Sequence, residues 1–185
     1  GSPFVIGPIE ILWVASLHGL CLVVIMIAIK STGQNLGSIG VSRNNTARML
    51  ALGLILSAIL VAVEVSTNGF VGFSPLLAYG FVFSTIVGFG EEIWWRGYLQ
   101  TRLVADMGNL KGLVITALLF AVLWHFPGEF YLQSGAVLDA LANTLLRLAP
   151  GLLFGYFMIK CQNILPSSIF HLFWNWGILL ATGSF

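Results

Sequence analysis

The sequence predicts an all-α membrane protein, a polytopic bundle of about six transmembrane helices. Of its 185 residues, 58% are hydrophobic and only 8% are charged, whereas a soluble domain has about 25% charged residues. The 14 Phe and 6 Trp exceed what a polar surface could cover at this length, so the lipid bilayer is the expected surroundings. No linker or internal repeat interrupts the chain, which predicts one membrane-embedded domain over residues 1–185. A net charge of +1 offers no basic surface for nucleic acid, which we exclude as a partner.

Six apolar runs are candidates for membrane spans, each of which needs about 20 mostly apolar residues. In chain order they cover about 9–29, 47–65, 75–103, 113–126, 143–159 and 166–181. The first run stops at Lys30, the second at Ser66-Thr67-Asn68-Gly69, and the fourth at Pro127-Gly128. The third starts near Pro75 and the sixth near Pro166. The mixed stretch 129–142 is predicted to lie at the membrane interface, and the fifth run could be short or re-entrant.

Basic residues predict the orientation of the bundle. If the N-terminus is outside, six of them fall on the inner side: Lys30, Arg43, Arg48, Arg102, Lys111 and Lys160. The outer loops, near Asn68 and over 129–142, contain no Lys or Arg, as the positive-inside rule requires. Arg147 is the exception near the outer side and could snorkel to water. We therefore expect a multi-pass integral membrane protein, in the cell membrane if the source is prokaryotic, with the N-terminus outside.

Six polar side chains within these runs are the candidate site residues, because charges in a bilayer core cost several kcal/mol. They are Glu91, Glu92, Arg96, His125, His171 and Asn175. Glu92 and Arg96 are four residues apart, so they share a helix face and Arg96 is predicted to neutralise Glu92. His171 and Asn175 have the same spacing and project to one side together.

The depth of these residues is similar on three separate helices. At about 1.5 Å per residue, Glu91 lies roughly 18 Å from the inner helix end near Leu103. His125 lies roughly 21 Å from Lys111, and His171 roughly 12 to 16 Å from the inner start of its helix. Polar residues with unrelated structural roles would not be expected to lie at a similar depth in the membrane.

This set of residue types suits peptide hydrolysis, which needs an activated water and a stabilised oxyanion. A carboxylate at low dielectric is a stronger base than in water, so Glu91 with His125 is predicted to hold and deprotonate the water. Asn175 and His171 can donate hydrogen bonds to the oxyanion.

Zinc is the alternative activator, since two His and two Glu are typical zinc ligands. However, no HExxH motif is present and the two His lie on different predicted helices. We assign no metal ligand and no cofactor, and keep zinc as the alternative.

Three segments resemble the motifs of one membrane protease family. Residues 91–96, EEIWWR, look like the EExxxR signature of the CPBP family, the CAAX prenyl endopeptidases and bacteriocin-processing or self-immunity (Abi) proteins. Residues 120–127, FAVLWHFP, resemble the second motif, FxxxH, and residues 171–175, HLFWN, the third, HxxxN. The resemblance covers about 74–185, the motif-bearing core. In FxxxH the Phe lies four residues before the His, but here that position is Ala121 and Phe120 lies five before.

The resemblance implies a glutamate-dependent, metal-free intramembrane endopeptidase. In it Glu91 and His125 would activate water, and His171 with Asn175 would stabilise the oxyanion. The implied substrate is a membrane-associated protein or peptide, either a prenylated CAAX protein or a leader or bacteriocin-type peptide. Two other functions stay open. One is a transporter or proton relay, where intramembrane Glu, His and Arg are common, although no inverted repeat is visible. The other is a non-catalytic membrane scaffold that keeps the motifs.

Overall fold

A computed structural model describes residues 7–43, 45–133 and 135–183, and the described part of the chain is helical without strands. Nine α-helices, α1 to α9, are present in this part: Pro8–Ser31, Thr46–Asn68, Pro75–Glu92, Thr101–Met107, Asn109–Leu119, Phe126–Leu132, Val137–Leu146, Leu148–Cys161 and Leu165–Thr182. A short 3₁₀-helix covers Leu36–Ile39, and two π-helical segments cover Ile93–Gln100 and Phe120–His125. The predicted all-α class is confirmed.

Within the described residues, five continuous helices are long and apolar enough to cross a membrane: Pro8–Ser31, Thr46–Asn68, Pro75–Met107, Asn109–Tyr131 and Val137–Cys161. They correspond to the first five predicted spans, and the protein is an integral membrane protein. The fourth span continues past Pro127, which lies near the start of α6 directly after the π-helical segment Phe120–His125. The fifth begins at Val137, six residues earlier than predicted, because α7 leads directly into α8.

The sixth predicted span is α9, which is a helix but too polar to qualify as a span on hydropathy alone. Its polar residues include Ser167, Ser168 and His171, all buried inside the protein. It packs mainly against α2 and α3. Neighbouring helices therefore provide the apolar surroundings of α9, in place of lipid.

Small residues bring the helices around α9 close together. A Cβ on Gly53 of α2 would lie 2.9 Å from Ile169 Cβ, and one on Gly88 of α3 would lie 2.7 Å from the backbone nitrogen of Leu172. Such close approach is typical of helix pairs in membranes, where packing holds helices together. It places the carboxylates of α3 directly against the polar face of α9.

Candidate active site

A cavity of about 360 Å³, a volume that includes its open mouth, lies where the third, fourth and fifth spans meet α9. Its walls include Phe120, Phe154 and Trp174. Four of the six predicted site residues line it, namely Glu91, His125, His171 and Asn175. The other two, Glu92 and Arg96, lie behind the wall with 0% of either side chain exposed.

Glu91 has one oxygen held and one oxygen uncommitted. Trp124 donates its indole N–H to Glu91 Oε1 across 2.7 Å. In the described part of the chain Glu91 Oε2 has no hydrogen-bond partner, and it lies 3.9 Å from His171 Nε2. Trp124 was missed in the sequence, where the available signal was an indole N–H directly beside the motif residue His125. The arrangement leaves Oε2 as the oxygen that can accept a proton.

Glu92 has two partners, Arg96 and His171, which both contact its Oε1. Arg96 Nη1 lies 3.3 Å from Glu92 Oε1, and His171 donates from Nδ1 to the same oxygen across 3.1 Å. The guanidinium of Arg96 also stacks 4.0 Å from the centre of the Phe120 ring and donates to the Gly151 carbonyl at 3.4 Å. Glu92 is therefore an anchor for His171, with a buried cation beside it.

His171 presents its second nitrogen to Glu91. Because Nδ1 carries the hydrogen that Glu92 accepts, Nε2 accepts a hydrogen bond in the neutral ring and donates one only in the imidazolium. The ring stacks on Phe154 with centroids 4.8 Å apart, which fixes its plane. Asn175 follows one helical turn later on α9 and lines the same cavity.

His125 and Phe120 are brought together by a π-helix. Their rings meet edge to face with centroids 4.6 Å apart, although they are five residues apart in the sequence. In a π-helix the backbone hydrogen bond runs from residue i to i+5, so residues five apart come close. The segment Phe120–His125 has this geometry. It gives a physical account of why the Phe lies five residues before the His, with Ala121 at the position four before.

The described residues do not fit a zinc site. Within 7–43, 45–133 and 135–183, no three His, Cys, Asp or Glu side chains are arranged as metal ligands. Glu92 Oε1 accepts a hydrogen bond from His171 Nδ1 across 3.1 Å, so this nitrogen carries a hydrogen and has no lone pair for an ion.

Arg147 joins α7 to α8 and lines the cavity together with Glu91 and His125. The sequence suggested that it could snorkel to the membrane surface, and this stays a prediction. Arg147 keeps 40% of its side chain exposed, and its Nη2 donates to Glu129 Oε1 across 3.1 Å. Asn143 donates to Glu129 Oε2 across 3.2 Å. The exception to the charge rule is thus an anchored cation at the candidate site.

The fold and the site together define a polytopic helical membrane protein with a carboxylate–histidine site enclosed in its bundle. A family model described as type II CAAX prenyl endopeptidase Rce1-like matches residues 73–177. This match covers more than half of the chain, and the protein belongs to that family of proteases. No curated protein and no solved structure matches the chain. The resemblance to the CAAX protease family is confirmed, and with it a membrane-associated protein as the kind of substrate.

Proposed function

We propose that the protein is an intramembrane endopeptidase in which Glu91 and His125 activate a water molecule. The observation that carries this proposal is the state of Glu91. One of its oxygens is held by Trp124, and the other has no hydrogen-bond partner in the described part of the chain. Glu91 lines a cavity together with His125, His171 and Asn175. A carboxylate so arranged can accept a proton from water at a single defined atom.

In the proposed reaction, water gives a proton to Glu91 Oε2 while its oxygen bonds to the scissile carbonyl carbon. The carbonyl oxygen becomes an oxyanion that accepts hydrogen bonds from Asn175 and from His171 Nε2 in its imidazolium form. Glu92 compensates the imidazolium charge through Nδ1. When the tetrahedral intermediate collapses, the C–N bond breaks and the proton held by Glu91 passes to the leaving nitrogen. His125, which lines the same cavity, orients the water.

The proposed substrate is a prenylated CAAX protein, in keeping with the family to which the chain belongs. A leader or bacteriocin-type peptide is the rival substrate. Since both are membrane-associated, only direct cleavage distinguishes them.

The test compares purified wild type with Glu91→Gln on a prenylated peptide and on a leader peptide. Loss of the base should lower kcat by about 10²- to 10⁴-fold, the usual contribution of general acid–base catalysis. Glu64→Gln is the matched control, because Glu64 lies on α2 outside the motifs and accepts an exposed hydrogen bond from Asn68. This control should cleave at the wild-type rate.

Three outcomes would overturn parts of the proposal. Full cleavage by Glu91→Gln would remove Glu91 from the mechanism. Loss of wild-type activity with a chelator would show a metal-dependent reaction. Substrate-dependent flux in liposomes without any peptide cleavage would favour a transporter.

A further inference from the structure

The first span buries a histidine that neither the motifs nor the proposed reaction uses. Besides His125 and His171 the chain has one further histidine, His18 on α1. His18 is only 6% exposed, although most of α1 faces outward. A polar side chain buried in a membrane span calls for a physical reason.

The hydrogen bond of His18 does not supply that reason. Its Nδ1 donates to the carbonyl oxygen of Val14 in the same helix across 2.9 Å. In a neutral ring Nε2 is then an acceptor, and within the described residues it has no hydrogen-bond partner. The imidazole is therefore oriented by its own helix, and its role follows from what the ring packs against.

The ring packs against two residues next to the proposed base. A Cβ on Gly90 would lie 2.1 Å from His18 Cδ2 and 2.6 Å from Cγ, so the ring occupies the space that a side chain at position 90 would need. The same ring meets the Trp124 indole edge to face, with centroids 6.1 Å apart. Trp124 in turn donates to Glu91 Oε1 across 2.7 Å. His18 thus packs against the residue before Glu91 and against the donor that holds its carboxylate.

The indole has a second aromatic neighbour, which comes from the third span itself. Trp95 meets Trp124 with centroids 6.1 Å apart and an interplanar angle of 69°. Because Trp95 and Glu91 belong to the same span, they move together. His18 approaches from a different span, so its loss would leave the indole free to tilt relative to Glu91.

We propose that His18 is a positioning residue, whose imidazole holds the Trp124 indole in the orientation in which Nε1 donates to Glu91. This inference rests on the proposed endopeptidase function. It extends the site to α1, which lies outside the matched residues 73–177.

The first test is His18→Leu, which keeps a buried side chain of similar size and removes the ring. The value of kcat should fall by about 2- to 10-fold, the contribution of an edge-to-face aromatic pair. KM should stay unchanged, because His18 is not among the described residues that line the cavity.

A double-mutant cycle tests whether His18 acts through the indole. In Trp124→Phe the N–H is already absent, so adding His18→Leu should lower kcat no further. If His18 had a separate structural role, its loss would multiply with that of Trp124→Phe. Such independent effects would overturn the inference.

Gly90→Ala separates positioning from folding. Its new Cβ must displace the imidazole, so stability and kcat should both fall. Adding His18→Ala removes the clash and should restore stability, while kcat stays low because the ring is missing. Recovery of kcat together with stability would show that His18 only fills space.

Ile25→Ala is the matched control on the same helix. Ile25 lies seven residues after His18, about two turns along the same face, and is buried in the cluster with Ile29 and Ile39. The cavity left by Ile25→Ala should lower the denaturant midpoint of unfolding. The kcat of the folded protein should equal that of wild type.

The indole N–H can be followed without any cleavage, by ¹⁵N–¹H NMR of the protein in micelles. The Trp124 resonance is assigned by its loss in Trp124→Phe. In His18→Leu it should move upfield, as expected for a weaker hydrogen bond, whereas Ile25→Ala should leave it in place.

The two measurements separate this inference from the proposed function. A shifted resonance in a protein whose wild type cleaves no peptide would defeat the endopeptidase and keep His18 as the residue that holds the indole. With an active wild type, an unchanged resonance or an unchanged kcat in His18→Leu would overturn the inference.

Discussion

Two sides of the third span each carry a glutamate, of which one is sealed inside the protein and the other lines the cavity. On the sealed side, which we define as Glu92, Arg96 and Gln100, every one of these side chains is buried to 0% or 1% exposure. The cavity side is defined as Glu91 with Trp124, His125 and Asn175. Glu91, His125 and Asn175 line an open space, and Trp124 donates to Glu91. Glu91 and Glu92 are adjacent, and the rotation of about 100° per residue sends them to different neighbours.

The difference shows that the surroundings decide what a carboxylate does. Glu92 binds a cation and a ring nitrogen through Oε1. On the same side Arg96 and Gln100 donate to the carbonyls of Gly151 and Gly155, which ties α8 to the third span. Glu91 has a single neutral donor and keeps Oε2 for chemistry. One side therefore stabilises the fold, and the other is expected to react.

Among the variants that test this comparison, Arg96→Met should have the largest effect, a loss of folding stability. The substitution leaves Glu92 buried without its cation, and breaking a buried ion pair in this way costs about 3 to 5 kcal/mol. The free energy of unfolding, measured by denaturant titration in mixed micelles, should fall by that amount.

A second variant tests the cause. Arg96→Met combined with Glu92→Gln removes both charges and should recover part of the loss, because no unpaired carboxylate remains. Lys111→Met is the control, since Lys111 is exposed at the start of α5. If Arg96→Met were as stable as Lys111→Met, the sealed side would not have the stabilising role assigned to it.

Much of the fold could be predicted from the sequence because hydropathy and length alone define a span. The same signal was weakest for α9, whose Ser167, Ser168 and His171 are buried by neighbouring helices and not by lipid. Within one helix, spacing was also sufficient. Glu92 meets Arg96 because four residues make about one turn.

Contacts between helices could not be predicted in this way. The rotation of the fourth span relative to the third decides that Trp124 reaches Glu91, and no spacing along the chain records it. The rotation of α9 likewise decides that His171 contacts Glu92 through Nδ1. The π-helical turn at Phe120–His125 was missed because an α-helical period was assumed throughout. The roles given to the site residues, the N-terminus outside and the absence of a cofactor stay predictions.

An intermediate effect is expected from Trp124→Phe, which keeps an aromatic ring and removes the N–H that Glu91 Oε1 accepts. Without this donor the carboxylate can turn, so Oε2 no longer faces the water in one orientation. A hydrogen bond to a charged group contributes about 1.5 to 3 kcal/mol, so kcat should fall by about 10- to 100-fold. KM should change little, because Trp124 acts through Glu91 and is a positioning residue.

Trp94→Phe is the matched control for that measurement. Trp94 stacks on Tyr98 and packs near the apolar cluster of Ile25, Ile29 and Ile39, away from the cavity. It should retain the wild-type kcat. Trp124→His restores a ring N–H and should recover more activity than Trp124→Phe. Equal kcat for both Phe variants would show that the indole donor does not position Glu91.

The smallest effect is expected from Gly88→Ala. This variant tests the close approach of α3 to α9, on which both sides depend. A Cβ on Gly88 would lie 2.7 Å from the nitrogen and 3.0 Å from the Cα of Leu172, so α9 must shift in Gly88→Ala. Because Leu172 follows His171, the shift should move His171 away from Glu91 and Glu92 together. Overpacking of this kind costs about 1 to 3 kcal/mol in the free energy of unfolding.

Gly19→Ala is the control for Gly88→Ala, since Gly19 lies in α1 with nothing within 4 Å of its added Cβ. Alanine is favoured over glycine in a helix by about 1 kcal/mol, so this variant should be as stable as wild type or more stable. In Gly88→Ala, stability and kcat should fall together, because one displaced imidazole serves the sealed side through Nδ1 and the cavity side through Nε2. A loss of stability with unchanged kcat would mean that the position of His171 does not couple the two sides.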